Sequence, residues 1–167
     1  MTLPGHLHFV CPTDHLEAVI ESHFDGDHYF VSSLGNTIDF NLKFANYLSK
    51  LIETKGITEI SFVLAEDNLV LNNIEKIKTF RGLRGLHTFY GSILKSEIHA
   101  KEIGHEFRSK LPKVHDCLCL KVQDFNTKVS KRCCKTVRVT AKVYHRQSNI
   151  FKEVSSHMLL IKHICLN

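Results

Sequence analysis

The order of the secondary structure predicted near the start of the chain constrains the fold most. His6–Cys11 has the composition of a strand, and a second short strand, His28–Val31, follows a predicted helix over Leu16–Phe24. The apolar side chains of Asp39–Lys55 recur at i, i+4 and i+8, which predicts an amphipathic helix. Ile57–Leu64 is rich in β-branched and aromatic residues, which favours a strand. Because helices join consecutive strands, the sequence predicts an α/β fold, a mostly parallel sheet flanked by helices.

The later part of the chain has weaker patterns. Thr136–Tyr144 alternates apolar and polar side chains, which predicts a strand with one buried face and one solvent-facing face that carries Thr140 and Tyr144. Ile150–Val154 is expected to pair back with it as a hairpin, and Cys117–Val122 is a further strand candidate. Three more segments are expected to be ordered, the first two as helices and the third as a strand or a helix: Leu69–Phe80, Ser92–Lys110 and Ser156–Cys165.

Composition narrows the class of protein. A chain of 167 residues with 43% hydrophobic and 23% charged residues is sufficient for one domain, residues 1–167, with a substantial core. The sequence contains no run of eighteen apolar residues, the length that a membrane span requires. The first residues lack a signal-peptide pattern, so we expect a cytoplasmic protein. Its six cysteines are then expected to be free thiols.

Charge and scattered motifs do not indicate a particular ligand. The net charge of +5 permits anionic partners without pointing to nucleic acid. Arginines and aromatic residues in Phe80–Gly91 could contact nucleic acid, although we interpret the segment as a glycine-punctuated connection with solvated arginines. A nucleic-acid-binding module is therefore kept as an alternative function. His6 and His8 alternate along the first predicted strand and could chelate a metal only weakly.

Three local patterns, in this order, resemble the β-class carbonic anhydrases. FVCPTDHLEAVI stands where that family has a strand, a Cys-x-Asp-x-Arg motif and a helix. GDHYFVSSLGN is similar to the family's Gly-Asp, short strand and Arg-Asn-Ala-Gly-Asn, and ITEISFVLAEDNLV lines up with a strand that ends in Cys-Gly-His-x-x-Cys-Gly. TVRVTAKVYHRQSNIFKEV resembles the last strand and hairpin of the family. The resemblance covers about residues 6–71 and 136–154, and it implies a β-carbonic-anhydrase fold and a homodimer.

The site residues of that family are mostly replaced in this chain. The family binds zinc with Cys, His and Cys beside an Asp–Arg pair. Cys11 matches the first zinc cysteine, whereas Glu66 stands at the histidine and Leu69 at the second cysteine. The aspartate and the arginine of the pair fall on Thr13 and His15. Since zinc sites need three protein donors and Leu69 has no donor atom, the resemblance implies a degenerate zinc site.

The resemblance implies a cleft at the position of the family's active site, without the residues that carry out the family's chemistry. We expect no catalytic residue, no bound metal and a non-catalytic protein that binds a small anion or a protein partner there. The alternative is a carbonic anhydrase, or another lyase, with zinc rebuilt on Cys11, His15 and Glu66. Asp14 is one position away from the family's aspartate and is expected to cap the following helix. The residues expected to line the cleft are Cys11, Thr13, His15, Ser33, Gly35, Asn36, Glu66 and Leu69.

Overall fold

The computed structural model describes residues 4–73, 111–129 and 137–154. Within them, the strands are β1 (Gly5–Val10), β2 (Asp27–Ser32), β3 (Ile57–Ala65), β4 (Arg138–His145) and β5 (Ile150–Glu153). The helices are α1 (Glu17–His23), α2 (Leu42–Lys55), α3 (Leu69–Asn72) and α4 (Leu111–Lys128). Two of the predicted segments, Ser92–Lys110 and Ser156–Cys165, lie outside the described residues. Of the predicted helix Leu69–Phe80, only residues 69–73 are described.

The strands form a single sheet in the order β2-β1-β3-β4-β5. The first four strands are parallel, and β5 pairs with β4 antiparallel as a hairpin. The register places Leu7 opposite both Tyr29 and Ile60, and Ala65 opposite Tyr144. The prediction of a mostly parallel α/β sheet is confirmed. In the described part of the chain, no helix combines the length and the apolarity that a membrane crossing requires.

The larger core lies between one face of the sheet and the helices α2 and α4. Phe9 of β1 stacks on Phe62 of β3, with ring centroids 4.7 Å apart. Phe40 and Phe125 meet this pair edge-on from the loop before α2 and from α4. Each fully buried phenylalanine stabilises the fold by roughly 1.5–3 kcal/mol through removal of its ring from water. This core fixes the positions of β1 and β3, whose carboxyl ends carry the residues considered below.

The opposite face of the sheet is also covered. Val10, Val63 and Tyr144 pack there against Leu16 and Ile20. The prediction that β4 has a solvent-facing side is therefore wrong, since Tyr144 is only 6% exposed and the neighbouring Thr140 of the same face only 4%. Central parallel strands are ordinarily buried on both faces, and a polar residue such as threonine can occupy one of them when it is hydrogen-bonded.

The predicted strand Cys117–Val122 is wrong, because these residues lie within the helix α4. The short window CLCLKV is mostly apolar, which a strand and a buried helix share, but the longer segment carries a helical stripe of buried side chains: Val114, Cys117, Leu118, Phe125 and Val129. Cys117 is consequently buried in the core, whereas Cys119 is partly exposed on another side of the helix.

The prediction that Asp14 caps the first helix is also wrong. α1 begins at Glu17 after Leu16, and no side chain caps it. Asp14 belongs instead to a 3-10 turn, Pro12–Asp14, which follows β1. His15 then adopts a left-handed conformation with φ of 53° and redirects the chain into α1. This turn directs the Asp14 side chain into the protein rather than toward the helix end.

Candidate functional site

The carboxyl ends of three parallel strands meet at one edge of the sheet. Cys11 directly follows β1, Glu66 follows β3, and Arg146 follows β4. In open α/β sheets, this edge is where ligands bind. We call the side chains gathered around it the strand-end site, which comprises Asp14, Glu66, Asp67, Asn68, His145 and Arg146.

Cys11 is fully buried beside the strand-end site and is hydrogen-bonded within the protein. Its Sγ lies 3.0 Å from Thr13 Oγ1 and accepts a hydrogen bond of 3.1 Å from the backbone N–H of Gly35. The thiol of Cys117 donates to the carbonyl of the same glycine at 3.9 Å. Burial raises the pKa of Cys117 to about 12, so this thiol stays protonated as the bond requires. The Gly35 peptide is thus held between two cysteines.

The loop that carries Gly35 is tightly packed but retains unused hydrogen-bonding capacity. Gly35 has a φ of 58°, and a Cβ there would lie 3.2 Å from Val70 Cγ1. Asn36 is fully buried and donates from Nδ2 to the Val63 carbonyl at 3.2 Å. Asn36 Oδ1 and Ser33 Oγ are buried without a hydrogen-bond partner, as far as the described residues go. Both oxygens are closed to solvent, so they are not open to a ligand from the surface.

Asp14 is the central residue of the strand-end site. Its Oδ2 accepts a hydrogen bond from the backbone N–H of Ala65 at 2.8 Å, and its Oδ1 accepts one from Asn68 Nδ2 at 2.7 Å. Arg146 Nη2 donates to the Asp14 carbonyl at 2.7 Å. Burial raises the pKa of this carboxyl, while the two hydrogen bonds and the Arg146 charge oppose the rise. One residue thus joins the segments after β1, β3 and β4.

The acidic turn after β3 is paired with the basic residues after β4. Glu66 Oε2 lies 2.7 Å from His145 Nδ1. Arg146 Nε donates to both carboxylate oxygens of Asp67, at 2.9 and 3.1 Å. Asn68 Oδ1 accepts from the backbone N–H of Leu71 at 2.9 Å and so caps α3. Every polar side chain of this turn therefore has a partner inside the protein.

The residues predicted to line the cleft do not form one constellation. Cys11, Thr13 and Gly35 are in contact through the cysteine sulfur. His15 is exposed, and Leu69 is 60% exposed at the start of α3. Ser33 and Asn36 belong to the loop that carries Gly35, and Glu66 faces His145.

Sequence reasoning missed Asp14, Asp67, Asn68, His145 and Arg146 as site residues. The last two escape local sequence analysis, because their contact with the acidic turn follows from the pairing of β4 with β3. His145 ends β4 and Arg146 follows it, so the parallel register brings both next to that turn. Asp14 alone gave a signal, because it is one position from a functional aspartate of the resembling family.

The residues present do not fit a zinc ion. A zinc site requires three protein donors at bonding distance. Cys11 already accepts from Gly35, Glu66 already pairs with His145, and Leu69 has no donor atom. Across residues 4–73, 111–129 and 137–154, no group of three or more His, Cys, Asp or Glu side chains could hold a metal ion, and Cys11, His15 and Glu66 do not form one.

Comparison with known proteins supplies a fold. No family model and no curated protein matches the sequence. Among solved structures, the β-carbonic anhydrase CafD of Aspergillus fumigatus is 12% identical, with a TM-score of 0.69 over 91% of this chain and 90% of that one. A structure from a study of two tetrameric β-carbonic anhydrases of Sordaria macrospora is 13% identical, with a TM-score of 0.65 over 93% and 82%. The β-carbonic anhydrase of Coccomyxa in complex with acetazolamide is 12% identical, with a TM-score of 0.62 over 92% and 72%. These similarities confirm the resemblance of the sequence motifs at the level of the fold. The chain therefore has the fold of the β-class carbonic anhydrases.

Proposed function

We propose that this protein is a non-catalytic, zinc-less protein on the β-carbonic anhydrase fold, whose strand ends are joined by hydrogen bonds instead of a metal. The observation that carries this proposal is the Asp14 carboxylate, which accepts from Ala65 and from Asn68. A carboxylate bonded in this way fixes separate loops in one arrangement, as a structural metal ion would. Its oxygens face protein donors and are not presented as ligands to a catalytic metal.

The charges of the strand-end site support the same conclusion. A lyase that activates water needs a base whose lone pair can reach the water. Both Asp14 oxygens accept from protein donors, and Glu66 and Asp67 each pair with a side chain at the end of β4. In the described part of the site, these carboxylates are committed to holding the loops together.

Binding is the function that remains, and a protein surface fits it better than a small anion does. The nearby basic side chains are already paired, because Arg146 contacts Asp67 and His145 contacts Glu66. An anion would have to displace those carboxylates. Leu69, by contrast, exposes an apolar side chain directly after the paired turn. We propose that it contacts a second copy of the chain in a homodimer.

The proposed self-association has two supports. Leu42, Tyr47 and Leu69 are each more than half exposed, although each is a large apolar or aromatic side chain. The similar Sordaria structure comes from enzymes described as tetrameric. Sedimentation velocity should give a dimer, and Leu69→Asp should shift it toward monomer, whereas Ile150→Asp, at an exposed apolar position of β5, should not. A monomeric parent protein would contradict the dimer.

Metal analysis combined with a CO2 hydration assay tests the non-catalytic proposal. We expect protein purified without chelators to carry no stoichiometric zinc and to show no hydration above the uncatalysed rate. Cys11→Ala and the control Cys119→Ala should leave both results unchanged. One zinc per chain, with hydration activity that Cys11→Ala abolishes and Cys119→Ala retains, would overturn the proposal in favour of the rebuilt-zinc alternative.

Two of the described basic residues give the nucleic-acid alternative no support, because each is paired with an acidic side chain. Lys128 pairs with Asp124 at 2.9 Å, and Arg138 pairs with Glu153 at 3.2 Å. The segment Phe80–Gly91 lies outside the described residues. A cytoplasmic location stays a prediction.

A further inference from the structure

A chain of hydrogen bonds crosses the sheet face that packs against α1. Ser61 Oγ lies 2.6 Å from His8 Nδ1, and His8 Nε2 lies 3.0 Å from His28 Nδ1. His28 Nε2 lies 2.9 Å from the backbone carbonyl of Phe24, the residue that ends α1. The chain therefore connects β3, β1 and β2 with the end of the first helix.

The carbonyl of Phe24, the last acceptor, determines which nitrogen of each uncharged ring carries a hydrogen. A carbonyl oxygen can only accept, so His28 Nε2 must carry a hydrogen. In a neutral His28, Nδ1 is then an acceptor, and His8 Nε2 must donate to it. His8 Nδ1 is in turn the acceptor for the hydroxyl of Ser61. With both rings uncharged, all three contacts are hydrogen bonds and the Ser61 hydroxyl also has an acceptor for its own proton.

An added proton disturbs this arrangement at its buried end. With a proton on His28 Nδ1, His8 Nε2 must become the acceptor, and the hydrogen of His8 moves to Nδ1. With His8 itself protonated, Nδ1 likewise carries a hydrogen. In both cases Ser61 Oγ must accept from His8, and its own fully buried O–H loses the acceptor that His8 had provided. Because β2 pairs with β1 alone among the described strands, it can separate from the sheet at the His8–His28 contact.

The surroundings disfavour a positive charge here. The charged and titratable groups that face His8 from the described neighbouring strands are His6, His28, Glu59 and Lys142. Glu59 is the only acid among them, and it already pairs with Lys142 at 2.7 Å. The pKa of His8 is lowered to about 3, chiefly by burial and also by His28, Lys142 and His6, while Glu59 opposes the shift. Burial also lowers the pKa of His6.

A metal site is not a competing explanation for this cluster. His6, His8 and His28 have ring centroids only 5.1–6.3 Å apart. However, both nitrogens of His8 and both of His28 are already hydrogen-bonded, so neither ring has a free lone pair for a cation.

We propose that the Ser61–His8–His28–Phe24 chain is an acid-sensitive set of hydrogen bonds that holds the edge strand β2 against β1 at neutral pH and releases it on acidification. The sign follows from linkage. The folded state keeps His8 neutral while the unfolded or opened state protonates it below about 6.5, so stability is complete above that pH and falls with pH toward about 3. For one such histidine, the opening constant rises about tenfold per pH unit.

Hydrogen exchange between pH 7 and pH 5 tests the proposal, after correction for the intrinsic exchange rate at each pH. We expect the opening constant of the β2 amides to rise about tenfold per unit below pH 6.5, and that of the β3 amides to change far less. His8→Gln removes the titratable ring on which the linkage rests and should flatten the β2 dependence. His15→Asn, at an exposed left-handed histidine, is the control and should leave it unchanged.

Two results would overturn the proposal. One is an equal pH dependence of β2 opening in His8→Gln and in the parent protein. The other, which also decides the matter if His8→Gln does not fold, comes from ring-nitrogen NMR of the parent protein. We expect His8 to stay neutral, with its proton on Nε2, down to pH 5, and a His8 ring that titrates near 6.5 would overturn the proposal.

Discussion

The side-chain amide of Asn68 donates a hydrogen bond of 2.7 Å to the carboxylate of Asp14, 54 positions earlier in the sequence. The orientation of that amide is fixed, because Asn68 Oδ1 accepts from the backbone N–H of Leu71. The other oxygen of Asp14 accepts from the N–H of Ala65. Asp14 therefore faces two donors, and the site requires an acceptor at both of its side-chain oxygens.

Replacement of Asp14 by asparagine should destabilise the fold although the shape is conserved. The new NH2 group would face either Ala65 N–H or Asn68 Nδ2, so one buried donor would lose its acceptor. We expect the free energy of unfolding to fall by about 1–3 kcal/mol, measured by urea denaturation. Asp25→Asn, at an exposed aspartate, should change it by less than about 0.5 kcal/mol. Equal losses in the two variants would contradict the cross-link.

Gly35 should tolerate alanine less well than Gly56 does. Both glycines have a positive φ, 58° and 61°, so alanine costs each of them about 1 kcal/mol of backbone strain. At Gly35, the new methyl would also press on Val70 Cγ1 at 3.2 Å, whereas at Gly56 it meets nothing within 4 Å. Thermal or urea unfolding should show a larger loss for Gly35→Ala. A smaller loss than for Gly56→Ala would mean that the loop holding Cys11 is not tightly packed.

The parallel sheet could be predicted from the sequence because its first strands and helices have strong local periodicity. α2 presents a complete amphipathic stripe and ends at Gly56, and β3 is a long apolar run. α4 resembles a strand over Cys117–Val122 because these few residues are a short, mostly apolar run, and only the stripe from Val114 to Val129 shows the helical period. Burial on both faces of β4 also depends on α1, far away in the sequence.

The sequence predicts the position of the candidate site better than it predicts the contacts within the site. The turn Glu66–Asn68 follows β3 as predicted, at the sheet edge where ligands bind in this type of fold. Its partners His145 and Arg146 are 79 positions away, and their contact depends on the β3–β4 register, which local sequence does not encode. From the sequence, Asp14 is expected to cap α1, whereas its inward direction depends on the left-handed turn at His15.

The Glu66–His145 contact should contribute measurably to stability, unlike an exposed ion pair. A double-mutant cycle with Glu66→Gln and His145→Gln at pH 6 should give a coupling of about 0.5–1.5 kcal/mol, because the 2.7 Å bond is partly shielded from water. The matched cycle on Arg138 and Glu153, which are at least half exposed, should give about 0.5 kcal/mol or less. Coupling no greater than in this second cycle would show that Glu66 is simply a solvated turn residue.

The two cysteines of α4 should differ strongly in reactivity. Thiolates, not thiols, react with iodoacetamide, and burial raises the pKa of Cys117 to about 12. At pH 8, its thiolate fraction is therefore on the order of 10⁻⁴, and the side chain is also closed to the reagent. Cys119 is partly exposed, so native protein should be labelled there first. Tandem mass spectrometry of the peptide that contains both residues measures the two sites separately.

The same experiment discriminates between a helix and a strand over these residues. Two positions apart in a strand, both thiols would share one face and react alike, whereas a helix turns them about 200° apart. We therefore expect Cys119 to be alkylated well before Cys117 in the native protein, and the two to react at similar rates in urea, where both are exposed. Similar rates in the native protein would contradict the helix and the burial of Cys117. The contact of Cys117 with Gly35, and with it the support of the loop next to Cys11, would then be lost as well.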